Sequence, residues 1–169
     1  DFDRWPVSYD AFAPYYQEAE SLLSVHGETG TDPFEPPRTG AYPHAPIPLT
    51  SPASRIHEAA ESLGYRPFHI PLAINFSDPE RPKCIMCTTC DGYPCRIEAK
   101  NDLTTTVLRR AKEAGLQILA NCVVTRLKRE RHQVNGLMAV DRSSGASVDI
   151  TADRVVLAAG AIHTPAILL

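Results

Sequence analysis

Residues 155–169 read VVLAAGAIHTPAILL, and this stretch decides the fold prediction for the chain. It begins with a short apolar run rich in β-branched residues, which is typical of a strand buried on both faces. The small residues Ala158–Ala161 follow at once. Small side chains let a backbone turn tightly and approach another group closely. We therefore predict a buried parallel strand that ends in a turn of small residues.

The sequence before this stretch predicts a regular α/β unit. Residues 101–115 predict a helix capped by Asn101 or Asp102, and residues 116–120 (LQILA) predict another strand buried on both faces. Three strands of an antiparallel meander are predicted at residues 122–130, 136–142 and 147–151. The predicted fold class is α/β, in part α+β, with parallel strands on either side of a three-stranded β-meander.

The first half of the chain differs in composition. The sequence has 15 prolines, and Pro165 is the single one after Arg96. Proline-rich sequence without hydrophobic periodicity predicts loops. We predict a loop-rich, helical segment at residues 1–95 that includes a cysteine loop, and an α/β unit at residues 96–169.

Two helices are predicted within the proline-rich half. The first has Ser8 as its cap and Gly27 as its end, with a break before Pro14 because proline removes a backbone N–H donor. The second covers residues 51–64 and ends at Gly64.

Bulk composition restricts the function classes. A net charge of −3 and a pI of about 6.1 argue against nucleic acid or an anionic membrane as partner. The apolar runs are too short to span a bilayer, and the opening Asp1 predicts an internal piece of a longer protein. Five cysteines, four of them crowded together, predict reduced thiols or metal ligands, so we expect a cytoplasmic location.

Three stretches resemble the glucose–methanol–choline (GMC) family of flavin oxidoreductases. Residues 159–169 (AGAIHTPAILL) are similar to the second signature of the family, which reads Gly-Ala-Ile, Ser/Thr-Pro, Leu-Leu. Residues 5–27 resemble the Trp-Pro and Tyr-Tyr segment that leads from the flavin domain to the substrate side. Residues 100–127 are similar to the stretch that precedes the meander. Together the matches cover nearly the whole chain.

The resemblance implies an FAD-dependent oxidoreductase that acts on alcohols or sugars, with hydride passing from the substrate carbon to FAD. It implies a partial FAD-binding, Rossmann-like unit, in which the backbone of Val124, or of Val123 one position earlier, contacts the adenine. Ala159 and Gly160 match the turn near the adenosine and pyrophosphate. For Val123 and Val124 the alternative interpretation is sheet core, because β-branched residues favour strands.

Two features of the family are absent from the sequence. No G-x-G-x-x-G phosphate loop occurs, and the catalytic histidine pair of the family lies further along the full protein. We therefore assign no catalytic residue among the histidines, which are His26, His44, His57, His69, His132 and His163. We expect the chain alone neither to retain FAD nor to turn over, and we expect it to self-associate through strand edges left uncovered.

The run CIMCTTCDGYPC at residues 84–95 leaves three interpretations open. An iron–sulfur centre, a zinc site or reduced thiols beside the flavin site are each compatible with clustered cysteines. The spacing departs from the usual metal patterns, so we assign no metal and note that C-x2-C thiols can also pair on oxidation. The alternative function is a small metal or iron–sulfur electron-transfer module, whose ligands would be Cys84, Cys87, Cys90 and Cys95.

Overall fold

The computed structural model describes residues 5–87, 90 and 92–169. The backbone forms two compact units, Asp1–Leu116 and Gln117–Leu169. The predicted boundary between residues 95 and 96 was placed by the expected role of each segment in cofactor binding. It stays a prediction. Every helix in the described part of the chain is too short or too polar to span a bilayer.

Helix α1 (Tyr9–Leu22) opens the first unit. Its predicted cap is confirmed, because the Ser8 side-chain oxygen accepts the N–H of Ala11 at 3.3 Å. The predicted break at Pro14 is wrong, since the helix runs through it. Proline at this position leaves the carbonyl of Asp10 without its helical donor, and exposed first-turn backbone can bond to water instead.

The end of α1 also differs from the prediction. The chain leaves the helix at Ser24, whose φ is +50°, and the N–H of Val25 closes the turn on the carbonyl of Glu20 at 3.0 Å. This is the helix-ending arrangement in which a residue in the left-handed region satisfies the last carbonyls. Ser24 therefore ends the helix, whereas the prediction placed the end at Gly27.

Two further helices complete the first unit. Helix α2 (Ser51–Ser62) ends as predicted, with Gly64 at φ +83°. Helix α3 (Val107–Glu113) begins later than predicted. The Asp102 carboxylate accepts the N–H groups of Thr104 and Thr105 at 2.8 and 2.9 Å, which holds a turn before the helix starts.

Arg38 fastens the proline-rich segment to α1. Its guanidinium forms a two-pronged ion pair with Glu20 of α1 and lies 3.4 Å from a carboxylate oxygen of Glu35. The same group stacks over the Tyr42 ring at 3.7 Å, and the Tyr42 hydroxyl donates to Glu35 at 2.9 Å. The segment is thus ordered by packing on a helix, since it has little regular structure of its own.

Asn75 organises the polypeptide around the cysteine run. It is 1% exposed, and its side-chain amide donates to three carbonyls at 3.1 Å, those of Asp78, Arg81 and Pro82. Its backbone N–H donates to the Ala99 carbonyl at 2.7 Å, and its carbonyl accepts the N–H of Cys84 at 2.8 Å. The first cysteine of the run and the residue shortly after the last are therefore held by the same buried asparagine.

The second unit contains the predicted antiparallel meander, which is confirmed. Strands β1 (Cys122–Glu130), β2 (Gln133–Asp141) and β3 (Ser147–Thr151) lie in the order β1-β2-β3. Ala139 on the central strand is 2% exposed and marks the core of this unit. The prediction rested on short strand-like runs separated by turn residues.

Gly136 permits the close approach of β2 and β3. It pairs with Thr151, and a Cβ atom at this position would overlap the carbonyl oxygen of Ile150 and lie 3.0 Å from the Thr151 Cα. Both clashes are with backbone atoms, which cannot rotate away. A glycine is therefore required by the ladder itself.

The two predicted parallel strands are not confirmed by the described residues. Residues 116–120 and 155–159 have no sheet partner among the described residues, and Val156 is 87% exposed. An apolar run predicts burial, whereas a strand also needs a neighbour to complete its hydrogen bonds. The sheet of the described chain consists of meander strands alone, so the mixed helix-and-sheet class holds while the parallel, Rossmann-like part is not confirmed.

Helix α4 (Gly160–Leu168) follows the small-residue turn and packs against β1. It carries no buried residue, and Ile162 is 78% exposed. Pro165 lies inside it, as Pro14 lies inside α1.

Candidate functional site

The register of β1 determines which valine presents its backbone at the sheet edge. In the described residues β1 pairs with β2 on one side only. Arg142 donates its N–H to the Asn121 carbonyl at 2.9 Å, so these opposed residues form a hydrogen-bonded pair. Such pairs alternate along an antiparallel ladder. Val123, opposite Val140, is therefore bonded to β2, whereas Val124 directs its N–H and C=O away from β2.

The hydrogen bonds between β2 and β3 lead to the same assignment of bonded and non-bonded pairs. Ala152 donates to the Asn135 carbonyl at 3.0 Å, which makes the Ala139–Val148 pair a bonded one by alternation. A residue of a central strand bonds to one neighbour or the other. Because Ala139 bonds to β3, it does not bond to Val124 opposite it in β1. Two independent hydrogen bonds thus assign the outward-facing backbone to Val124.

A bulge follows Val124 along β1. The register shifts between Val124 and Arg126, and the Thr125 hydroxyl donates to the Met138 carbonyl at 3.2 Å. Val124 is half-buried and Val123 is 47% exposed. The backbone edge next to Val124 therefore ends in a local distortion, a feature that often terminates regular pairing beside functional sites.

The turn before α4 carries the other two predicted residues, Ala159 and Gly160. Its backbone conformation favours glycine. Gly160 has a φ of +79°, a conformation that L side chains rarely adopt, and no atom lies within 4 Å of a Cβ built on it. The N–H of Ala159 donates to the Thr164 hydroxyl at 3.0 Å, which holds the turn against the first turn of α4. The four residues Val123, Val124, Ala159 and Gly160 thus lie on two elements, β1 and the start of α4, that pack together.

Backbone groups form both parts of this candidate site. The N–H and C=O of Val124 that face away from β2 present one donor and one acceptor side by side. The turn at Gly160 leaves open space where a side chain would stand, so a bulky group can approach its backbone.

The cysteine run forms a second candidate site, in the first unit. Cys87, Cys90 and Cys95 line a cavity of about 330 Å³, and the Cys87 and Cys90 sulfur atoms lie 3.8 Å apart. No group of three or more His, Cys, Asp or Glu side chains in the described residues is arranged to hold a metal ion. The sequence between these cysteines includes positions 88, 89 and 91, which lie outside the described residues.

A third cavity lies beside α1, with a volume of about 480 Å³. Its wall includes Glu20, Glu35, Arg38 and Tyr42, the polar cluster that fastens the proline-rich segment. Burial, and then the hydrogen bond to Glu35, raise the pKa of Tyr42 to about 12. Sequence reasoning missed this cluster, because its members are separated by loops without periodicity.

Comparison with known proteins identifies the family. A family model described as GMC oxidoreductase matches residues 2–169. The chain belongs to the GMC oxidoreductase family. It is 34% identical to 6'''-hydroxyparomomycin C oxidase of Streptomyces lividus, covering 98% of this chain and 31% of that protein. Paromamine 6'-oxidase of Streptomyces fradiae is 30% identical, over 98% of this chain and 30% of the relative. Gluconate 2-dehydrogenase flavoprotein of Pantoea cypripedii is 27% identical, over 96% and 30%.

Membership of the GMC family favours the oxidoreductase hypothesis over the electron-transfer module. The chain spans about a third of the length of these curated relatives, with coverages of 31%, 30% and 30%. Statements about the activity of a whole protein are therefore made below as proposals.

Two histidines of this GMC chain, His26 and His44, pack against each other in the loops of the first unit. His26 is 8% exposed and stacks on His44 with ring centroids 4.8 Å apart. The Nδ1 atom of His26 lies 2.9 Å from the Ala45 carbonyl, while burial and the His26 ring lower the pKa of His44. The pair bridges neighbouring loops, since the N–H of Gly27 donates to the His44 carbonyl at 3.0 Å. We interpret it as part of the loop packing and assign it no catalytic role.

Proposed function

We propose that the chain is part of an FAD-dependent oxidoreductase that oxidises a CH–OH group of an alcohol or sugar. Family membership supports the oxidoreductase class. The names of the relatives support the substrate and cofactor classes, since one is a flavoprotein dehydrogenase of gluconate and two are oxidases of paromamine-type compounds. When bound, FAD supplies the acceptor for the hydride that leaves the substrate carbon.

The observation that carries the proposal is the backbone edge at Val124. In the proposed complex its N–H would donate to an acceptor nitrogen of the adenine, and its C=O would accept from the amino group. Val123 directs the same groups into the bonds with Val140 of β2, so it is not available for this contact. The side chain of Val124 has no part in this recognition beyond its packing in the sheet.

Ala159 and Gly160 take the neighbouring role. The conformation of Gly160 and the open space around it let the backbone lie against the adenosine and pyrophosphate side of the cofactor. The sequence has no G-x-G-x-x-G loop to hold the pyrophosphate, and residues 116–120 and 155–159 lack sheet partners in the described chain. We therefore propose that these 169 residues alone neither retain FAD nor turn over.

Proline substitution tests the backbone contact. Val124→Pro removes an N–H that faces away from β2, so the ladder keeps its bonds. In the complete gene product that contains these residues, we expect FAD to bind about 2- to 12-fold more weakly, the loss of one net hydrogen bond of about 0.5–1.5 kcal/mol. Val124→Ala keeps the backbone groups and should bind FAD with nearly unchanged affinity.

Cys122→Pro is the matched control, because Cys122 also directs its N–H away from β2. It should leave FAD affinity unchanged, as measured by titrating apoprotein and following flavin fluorescence. Equal weakening by both proline variants, or strong weakening by Val124→Ala, would refute the assignment to the Val124 backbone. A gene product without flavin after gentle purification and without dye-linked oxidation of alcohols or sugars would refute the proposed function.

A further inference from the structure

Three cysteine sulfur atoms share one small cavity in the first unit. Cys87 and Cys90 have their sulfur atoms 3.8 Å apart, and Cys95 lines the same cavity of about 330 Å³. We propose that this cavity is a thiol–disulfide exchange site, in which Cys87 and Cys90 form a reversible disulfide at the expense of a small organic disulfide. This inference does not depend on the proposed oxidoreductase function.

The structure selects one of two possible C-x2-C pairs. Cys84 is anchored by its N–H to the carbonyl of the buried Asn75, and its sulfur accepts the N–H of Met86 at 3.3 Å. It lies outside the lining of the cavity. Cys87 is exposed and Cys90 is half-buried at the cavity wall. The pair that can approach both an incoming reagent and each other is therefore Cys87–Cys90.

Lys100 holds the second half of the loop in place. Its ammonium group donates to the carbonyls of Cys90 and Tyr93, each at 2.9 Å. These bonds fix the backbone of Cys90 while its sulfur remains directed at Cys87. A fixed resolving thiol 3.8 Å from the attacking sulfur needs only a small movement to reach the S–S distance of about 2.0 Å.

Cys87 and Cys90 differ in environment, and this difference assigns their roles as attacking and resolving thiol. The hydrogen bond with Cys87 raises the pKa of the Cys90 thiol, and this effect outweighs the opposite influence of Lys100. Either sulfur atom can be the donor of this hydrogen bond, so the assignment of roles rests on exposure. Cys87 is the more exposed of the two thiols, so we assign it as the attacking thiol and Cys90 as the resolving thiol.

Cys95 lines the same cavity and has a different environment. Its sulfur accepts the N–H of Ala99 at 3.4 Å, and the N–H groups of Ala99, Ile97 and Lys100 lower the pKa of Cys95. Backbone amides stabilise the thiolate here in the same way that a helix N-terminus would. We expect Cys95 to be alkylated quickly, and it serves as an internal reference for thiol reactivity.

The proposed exchange has two steps. The Cys87 thiolate attacks one sulfur of the small disulfide RSSR, which forms a Cys87–SR bond and releases RS⁻. Cys90 then gives its proton to solvent and attacks the Cys87 sulfur, which forms the Cys87–Cys90 bond and releases the second RS⁻. The cysteine pair loses two electrons and the small disulfide gains them, so the reaction is balanced without another oxidant.

Differential alkylation of the chain tests the site. The protein is equilibrated with glutathione disulfide in the presence of a chelator, quenched in acid, alkylated with N-ethylmaleimide, reduced, and alkylated with iodoacetamide. Cleavage after Lys83 and Arg96 gives one peptide with all four clustered cysteines, and fragmentation assigns a label to each. We expect the second label on Cys87 and Cys90 in the same molecules, with Cys95 oxidised only to a glutathione adduct that is detected by mass before reduction. Dithiothreitol should remove all of these labels.

Serine variants supply the controls. Cys84→Ser and Cys122→Ser should retain the full yield of the disulfide, because neither residue belongs to the pair. Cys90→Ser should abolish it and leave glutathione trapped on Cys87. A second label on Cys84 and Cys87, labels scattered over the run, or no oxidation at any glutathione ratio would overturn the proposal. A parallel sample without chelator supplies one more test: thiols that resist both reagents there and react when the chelator is present would indicate a bound metal and would also overturn the proposal.

Discussion

Gly160→Ala separates the two reasons why a glycine can be required in the turn before α4. The φ of Gly160 is +79°, and no atom lies within 4 Å of an added Cβ. The substitution therefore introduces backbone strain without a clash. Left-handed conformation costs an alanine about 1–2 kcal/mol. The smaller conformational freedom of alanine in the unfolded chain offsets about 0.4–1 kcal/mol of this.

The expected net effect on the chain is a loss of about 1 kcal/mol in the free energy of unfolding. For a chain of this size the melting temperature should fall by about 2–4 °C. Urea denaturation of wild type and variant, followed by circular dichroism, measures the difference. The slope of the transition should stay unchanged, because the variant adds no exposed surface.

The cofactor adds a second effect under the proposed function. If the Gly160 backbone lies against FAD, the new methyl group occupies space that the cofactor needs. Overpacking of this kind costs about 1–3 kcal/mol, so FAD should bind the complete gene product about 5- to 150-fold more weakly. The flavin content of purified variant protein and a titration of the apoprotein measure this effect.

Gly145→Ala is the matched control. Gly145 lies in the turn between β2 and β3, has a φ of +71°, and also has no atom within 4 Å of an added Cβ. It should lose stability to the same extent and bind FAD like wild type. The reasoning is refuted if the two variants weaken FAD binding equally, or if Gly160→Ala leaves both stability and FAD affinity unchanged.

Two further predictions concern stability. Gly136→Ala should lower the free energy of unfolding by about 3 kcal/mol or more, since the added Cβ overlaps the backbone of Ile150, and a urea midpoint equal to that of wild type would contradict this. Burial and the Glu35 hydrogen bond raise the pKa of Tyr42 from 10.0 to about 12, so the unfolded chain loses this proton first as pH rises. The contribution of Tyr42 to stability is complete below pH 10 and is lost as pH rises from 10 to about 12. Tyr42→Phe should remove this part of the pH dependence of the urea midpoint, and parallel profiles for both proteins would count against it.

Local sequence patterns predicted the elements whose partners are close in the chain. The meander was predicted from short strand-like runs and their turns, because β1, β2 and β3 are neighbours in sequence and complete one another's hydrogen bonds. Residues 155–159 have an even stronger apolar pattern, yet they form no ladder in the described chain. An apolar pattern indicates that a segment can be buried. A parallel strand also depends on partners that are distant in sequence, and the local pattern does not report them.

The polar clusters of the first unit could not be predicted from sequence patterns. Arg38 forms an ion pair with Glu20 from a segment without hydrophobic periodicity, so the spacing of these residues does not indicate their contact. Asn75 likewise gathers three carbonyls and both sides of the cysteine run while it stands in an unremarkable stretch of sequence. Such contacts follow from the path of the loops, which depends on many prolines acting together.

The choice between Val123 and Val124 shows what register adds to sequence. Both residues are apolar, β-branched and adjacent, so propensity gives them the same role. The bond from Arg142 to Asn121 sets the phase of the ladder, and the bulge lies beyond Val124, where it cannot change that phase between Asn121 and Val124. A shift of one residue would exchange the two valines. The contact proposed for FAD therefore depends on the pairing of β1 with β2, and a variant that moves this register should lose the cofactor while both valines remain in the sequence.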